Sequence, residues 1–458
     1  MEFVHRTYQV GDTIAAIATP PGEGGIAIIR ITGKSAITIA EKVFSGPVKT
    51  YKTHTAHYGK ILNNKKEVVD HVLLLVMLGG NSYAGEDTVE IHCHGGSIVS
   101  RRVLEVVFEA GARSAYPGEF TFKAFMNGKI DLVQAEAVQE LIAAKNERAL
   151  DFAQGQLEGS LSKKITFFQD ELITIASILE AWVDFPEEGL EFSSMEELCL
   201  QLEGIIASIQ KLVDTFHDGK ILHEGVTLCL AGAPNVGKSS LMNMLLDKDR
   251  AIVTSIPGTT RDILEDHFRL NGLNVRLMDT AGIRDAEEII EQEGIRRSRL
   301  AMSKADLILF VLDASCVISA SDQELLDDVP MEKTIVIWNK VDLPHAAIQD
   351  LPFKHTVKVS AKEKWGLEQL KEKIDQVIWE KGPPSKDELI ITNLRHKEAL
   401  LTAMDACYRV VLGLRSGVSP EFLTFDMRSV LTELGTIIGT NITEDILSSI
   451  FSKFCIGK

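Results

Sequence analysis

Apolar positions recur along this chain in two rhythms. From about residue 121 to 222 the spacing is helical. Leu161, Ile165, Phe168, Leu172, Ile175, Leu179 and Trp182 alternate steps of four and three, a single stripe along one helix face. The run DFPEEG interrupts it, and Leu198, Leu202, Ile205, Ile209 and Leu212 renew it. An antiparallel helical bundle built for packing accounts for both stripes. Elsewhere the rhythm is that of strands. GDTIAAIATP and GGIAIIRITG read as two strands around a Pro/Gly turn, with DHVLLLVML and EDTVEIHCHGG as two more, so residues 1–120 are predicted to be mixed α/β. From about 223 to 380, strands alternate with helices, the signature of a parallel sheet. VTLCLAG, VRLMDTAG, DLILFVLDA and TIVIWNKVD are apolar runs ending in polar loops, as buried parallel strands are. Asn271-Gly272, between alternating apolar residues, marks a hairpin. After about 381 the pattern is helical to the end.

The predicted fold is therefore α/β plus all-α. An N-terminal α/β domain (1–120) precedes a helical domain in two parts (121–222 and 381–458), and a P-loop α/β domain (223–380) is inserted into the helical one.

Composition narrows the setting. The chain has 458 residues, 45% of them hydrophobic, enough for two to four domains with buried cores. The start, MEFVHRTYQVGD, lacks a continuous apolar stretch or cleavage site, and the most apolar runs are of strand length. Six scattered cysteines without a Cys-x-x-Cys pair suit a reducing cytoplasm, and no membrane association is expected. A formal charge of −17 disfavours indiscriminate nucleic-acid binding, so any RNA would need local basic patches or a basic partner.

One segment carries explicit chemistry. Gly232-Ala-Pro-Asn-Val-Gly237-Lys238-Ser239 matches G-x-x-x-x-G-K-[ST] after a strand and before a helix. Its backbone N–H groups would close around phosphates, with Asn235, Val236, Gly237 and Ser240 in the cradle. Lys238 would reach the β- and γ-phosphates and Ser239 would ligate Mg²⁺. Further pieces follow in order. Thr260, in the loop Thr254-Ser255-Ile256-Pro257-Gly258-Thr259-Thr260, can complete the Mg²⁺ shell. Asp279-Thr280-Ala281-Gly282 can hold the metal through water and sense the γ-phosphate. Asn339-Lys340-Val341-Asp342 ends another strand, where Asp342 would accept two hydrogen bonds from guanine. Adenine offers no donors there. Ser360-Ala361-Lys362 supplies the remaining base loop, and the ligand implied is GTP.

The hydrolytic machinery departs from the common arrangement. Ile283 occupies the place where many GTPases position a glutamine, and an apolar side chain cannot orient water. Of the acids in RDAEEIIEQEG, Glu291 is favoured as the replacement. Arg261 and Arg284 are nearby cations without an assigned role. The Asn235 side-chain oxygen, three residues before Lys238, could hold a monovalent cation in place of an arginine finger.

TPPGEGGIAIIR, EDTVEIHCHGG, PGEFTFKAFMNGKIDLVQAEAV, GAPNVGKSS, TSIPGTTRD and the terminal FCIGK together resemble one family over the whole length, the bacterial tRNA-modifying GTPases called MnmE or TrmE. The resemblance implies a homodimer that acts with an FAD-dependent MnmG-type partner, in a heterotetramer or larger assembly. The product is an aminomethyl or carboxymethylaminomethyl group at C5 of the wobble uridine of certain tRNAs. It implies a 5-formyl- or 5,10-methylene-tetrahydrofolate bound by the N-terminal domain, with contacts on Arg30, Glu90, Lys129 and Lys458. It also implies K⁺ held by Asn235, Thr254, Ile256 and Thr259, and Glu291 as general acid/base. Glu23 stands where many relatives carry arginine. The alternative is a GTP-dependent switch on RNA or ribosomes, which would have no need of a reduced folate.

The terminal FSKFCIGK follows a predicted short helix with Thr443 as N-cap and Glu444 and Asp445 in its first turn. Gly457 would let the tail turn and offer Lys458 to the folate pocket. Cys455 reads either as a reactive thiol or as a buried small side chain.

Overall fold

The computed structural model describes residues 11–185, 194–246, 267–278, 299–344, 348–379, 382–385 and 388–458. The chain divides into two compact units, one of Met1–Ile142, Gln154–Ile209 and Glu398–Lys458, the other of Ala143–Ala153 and Gln210–Lys397.

The first unit opens on a six-stranded sheet built from β1 (Ile14–Ile17), β2 (Ile26–Thr32), β3 (Thr55–Leu62), β4 (Val68–Met77), β5 (Thr88–His94) and β6 (Arg113–Ser114), in the order β3-β4-β5-β2-β1-β6. Neighbouring strands run antiparallel except β1 and β6. The period-two pattern of TVEIHCH divides its faces. Val89, Ile91 and Cys93 enter a core shared with α1 (Ala36–Val43) and α2 (Ser97–Glu109). Glu90 and His92 face the other way and are half-buried. Arg30 on β2 lies directly opposite Glu90 in the β2/β5 register.

Helices follow: α3 (Glu119–Met126), α4 (Leu132–Ala143), α5 (Glu147–Leu157), α6 (Ser160–Asp184), α7 (Met195–Asp214) and α8 (Phe216–Glu224). The first predicted stripe lies on α6, where Leu161, Ile165, Phe168, Leu172, Ile175 and Leu179 are buried while Trp182 is only half-buried. All five positions of the second stripe are buried along α7. Burying a leucine or isoleucine contributes about 1.5–3 kcal/mol, so these stripes, more than helix propensity, hold the elements in place.

The second unit holds a sheet of β7 (Val226–Ala231), β8 (His267–Leu270), β9 (Leu273–Met278), β10 (Leu307–Asp313), β11 (Thr334–Asn339) and β12 (His355–Lys358), ordered β12-β11-β10-β7-β9-β8. Only β8/β9 is antiparallel. That hairpin turns at Asn271 and Gly272, with φ of 52° and 78°, the left-handed pair its sequence announces. Helices α9 (Lys238–Leu246), α10 (Ala320–Asp328) and α11 (Leu367–Ile378) accompany the sheet. The central β7 lies between β10 and β9, so its C-terminal end is the topological switch point where open α/β sheets bind ligands. The chain closes with α12 (Leu394–Arg415), α13 (Pro420–Ile438), which packs on α6, and α14 (Glu444–Phe451). No described helix is long and apolar enough to cross a membrane.

Candidate functional site

The loop after β7 is shaped by three residues in the left-handed region. Gly232 (φ 129°) passes so close to the Val311 carbonyl that a β-carbon there would collide with it. Asn235 has φ 64°, and Gly237 (φ 97°) leaves no room for a β-carbon beside the Asn339 carboxamide. The turn leads into α9, whose first turn carries no acid. Successive N–H groups and the positive end of the helix are therefore available to phosphate oxygens. Lys238 Nζ donates to the Gly232 and Ala233 carbonyls at 2.6 and 2.7 Å, which folds the lysine back over the loop. Val236 is buried and anchors the loop in the core; Ser239 and Ser240 are exposed.

Two further motifs close on this loop. Asn339 Nδ2 donates to the Val236 carbonyl at 2.8 Å, and its Oδ1 accepts from the Ala361 N–H at 3.1 Å. A single carboxamide thus joins the phosphate loop to the S-A-K loop. Lys340 Nζ donates to the Asn235 carbonyl at 2.7 Å and pairs with Asp313 at 2.6 Å. The Asp313 partnership was not read from sequence; an acid closing the apolar strand DLILFVLD was its one signal. Asp342 accepts from Ser360 Oγ at 2.7 Å, and this bond, with Lys362 and Lys340 nearby, lowers its pKa. The carboxylate is thereby kept as an ionised double acceptor, the form that recognises adjacent N–H donors.

Thr254, Ser255, Ile256, Pro257, Gly258, Thr259, Thr260 and Arg261 lie outside the described residues, as do Asp279, Thr280, Ala281, Gly282, Ile283, Arg284 and Glu291.

The second cluster lies on the face of the N-terminal sheet away from the core shared with α1 and α2. Arg30 Nε donates to Glu90 Oε1 at 2.7 Å, with both side chains mostly buried. The C-terminal tail comes to the same place. Phe451 packs edge-on against Phe122 with centroids 5.4 Å apart, and Phe454 lies 5.5 Å from Phe451. The bulk of Phe122 therefore serves packing. Beyond the helix, Gly118 N–H donates to the Cys455 carbonyl and Phe120 N–H to the Lys458 carbonyl, at 3.4 and 3.3 Å. Gly457 turns with φ 98°, and its carbonyl accepts from Arg30 Nη1 at 3.3 Å. Burial and the Arg30 charge lower the pKa of Lys458, opposed by Glu90 and Cys455. Thr443 does occupy the N-cap of α14, in extended backbone, but its side chain makes no capping bond.

Arg30, Glu90 and Lys458 are thus brought together. Lys129 is exposed in the loop after α3 and makes no ion pair with them. Cys455 is exposed. Glu23 is exposed too, and lines a cavity of about 990 Å³ with Arg101, Arg102 and Ile456. Two neighbours have no role assigned from the sequence. His92 Nε2 is buried 3.5 Å from Glu90 Oε2, and the Tyr83 hydroxyl, whose pKa is raised by burial, bonds Thr121 Oγ1 at 3.0 Å. Alternation along the strand puts His92 and His94 on one face, which invites a metal reading, but no third ligand is evident in the sequence, and nothing there marks Tyr83.

Residues 132–455 match the family model described as the MnmE helical domain, and residues 13–129 match that of the GTP-binding protein TrmE N-terminus. The chain is 65% identical over 458 residues to the tRNA modification GTPase MnmE of Protochlamydia amoebophila (strain UWE25), covering 100% of both. It is 43% identical to the proteins of the same name from Clostridioides difficile (strain 630) and Alkaliphilus oremlandii (strain OhILAs), covering 98% of this chain and 100% of each relative.

Proposed function

The chain belongs to the MnmE (TrmE) family of tRNA modification GTPases, and on that premise we propose that it is a K⁺-stimulated GTP hydrolase serving wobble-uridine modification. In this reading it works with an MnmG-type flavoprotein to install an aminomethyl or carboxymethylaminomethyl group at C5, using a one-carbon unit from tetrahydrofolate.

The GTP end rests on preorganised groups. The N–H groups from Asn235 to Ser239 receive phosphate oxygens, Lys238 neutralises their charge, and Asp342 accepts from guanine. Ser239 lies in the first turn of a helix that has no competing acid there, which suits a Mg²⁺ ligand. Mg²⁺ would offset charge on the phosphate oxygens. K⁺ falls to the Asn235 oxygen with Thr254, Ile256 and Thr259, and the acid/base role to Glu291. The exposed position of Asn235 in left-handed backbone supports this reading of its side-chain oxygen.

The folate end rests on one observation, the Arg30–Glu90 pair capped by the turning tail. Arg30 occupies one Glu90 oxygen, and Oε2 faces His92 at 3.5 Å, so it can accept from a pterin N–H. Lys458 and Arg30 supply cations for folate carboxylates. A switch acting only by GTP would gain nothing from this half-buried charged cluster. Isothermal titration of the full chain with 5-formyl-tetrahydrofolate is expected to show saturable binding that Glu90→Ala weakens at least tenfold. Absence of binding by the wild-type chain would remove the folate reading.

A further inference from the structure

Asp322 is a buried carboxylate that no motif claims. It lies in the first turn of α10, with 6% of its surface exposed and no ion-pair partner among the described residues. Neutral donors hold it. Oδ1 accepts from the Ala233 N–H at 3.0 Å, and Oδ2 accepts from Ser319 Oγ at 2.7 Å. Ser319 is the N-cap of the same helix and also receives the Asp322 N–H at 3.1 Å, so the carboxylate is steered from its own backbone.

The Ala233 N–H belongs to the same peptide plane as the Gly232 carbonyl. In a trans peptide these two groups point in opposite directions. One side of this plane is held by Asp322, and on the other side the Gly232 carbonyl accepts from Lys238 Nζ at 2.6 Å. The plane follows Gly232, whose φ of 129° belongs to the residue type with the fewest barriers to peptide rotation. Asp322 therefore removes a freedom that glycine introduces.

We propose that Asp322 is a positioning residue for nucleotide binding: it fixes the Gly232–Ala233 peptide so that its carbonyl holds the Lys238 ammonium where phosphate is met. This rests on the reading of Lys238 as the phosphate-binding lysine. A hydrogen bond to a charged acceptor carries enough free energy to change an affinity by about tenfold or more.

The test is titration of the full chain with an N-methylanthraniloyl-labelled GDP in Mg²⁺. Asp322→Ala is expected to raise Kd about tenfold. Asp322→Asn, whose amide oxygen can still accept from Ala233, is expected to stay within about threefold of wild type. On a Lys238→Ala background, Asp322→Ala should change Kd by less than about twofold, because the group it positions is gone. Should Asp322→Ala fail to fold, Asp322→Ser, too short to reach Ala233, is read in its place. Wild-type Kd in the Ala or Ser variant overturns the proposal, as does an undiminished effect on the Lys238→Ala background. If Lys238→Ala itself binds like wild type, the reading of Lys238 fails instead.

Discussion

At the scale of single residues, charge and hydrogen-bond direction decide what each site accepts. In the proposed GTP site Asp342 presents two acceptors to guanine, and Ser360 together with nearby lysines favours the ionised form. Asp342→Asn replaces one acceptor by a donor. GTP affinity is expected to fall at least a hundredfold while xanthosine triphosphate, with a carbonyl at C2, gains; competition binding reads the ratio. Lys458 allows a pH argument. Its pKa is lowered in the folded chain, chiefly by burial and then by Arg30. Between the lowered folded value and the ordinary one, the unfolded chain binds more protons, so the unfavourable contribution of this group fades as pH rises through that window. Binding of a folate carboxylate has the opposite sense, since it needs the ammonium. Folate affinity is expected to decline as pH rises through the lowered Lys458 pKa, and Lys458→Arg should flatten the decline in a titration series, because guanidinium stays charged.

At the scale of elements, the helices and buried strands were legible because their periodicity is complete within a short window. The α7 stripe and the Asn271-Gly272 hairpin are examples. The edge strands β3 and β12 were not. β3 reads TAHYGKIL, with exposed Ala56, Tyr58 and Lys60, and β12 is only HTVK. An edge strand is stabilised by its one neighbour and needs no apolar alternation to announce it. The tail is a further case. Gly457 holds φ 98°, and a β-carbon there would collide with the Ile17 carbonyl. Gly457→Ala is expected to displace the tail from Arg30 and weaken folate binding about tenfold in calorimetry. The thermal transition of the bundle should hardly move, since its buried stripes are untouched.

At the scale of the whole molecule, the proposed mechanism puts two activities on one chain, with the monovalent cation where catalysis and assembly meet. If K⁺ both offsets charge beside Asn235 and orders a loop through which two GTPase domains associate, hydrolysis depends on cation identity and on protein concentration together. Turnover is expected to fall at least tenfold when Na⁺ replaces K⁺ at constant ionic strength. Specific activity in K⁺ should rise with protein concentration until the dimer saturates. Equal rates in both salts would remove the cation from the mechanism.

The residues in order were enough for the P-loop, because its chemistry is local: glycines free the backbone, the next residues start a helix, and lysine follows within reach. They were enough for the helical stripes for the same reason. The proposed folate cluster was reached only through resemblance, since composition and spacing do not join its parts. Arg30 and Glu90 are 60 positions apart and meet through β-sheet register, while Arg30 and Gly457 are 427 apart and meet because Phe451 and Phe454 pack under Phe122. Tyr83, His92, Asp313 and Asp322 acquire their roles in the same way. Local preferences are written in neighbouring residues, but a contact across the chain exists only once packing has offset the entropy of closing the loop, and no short window contains that balance.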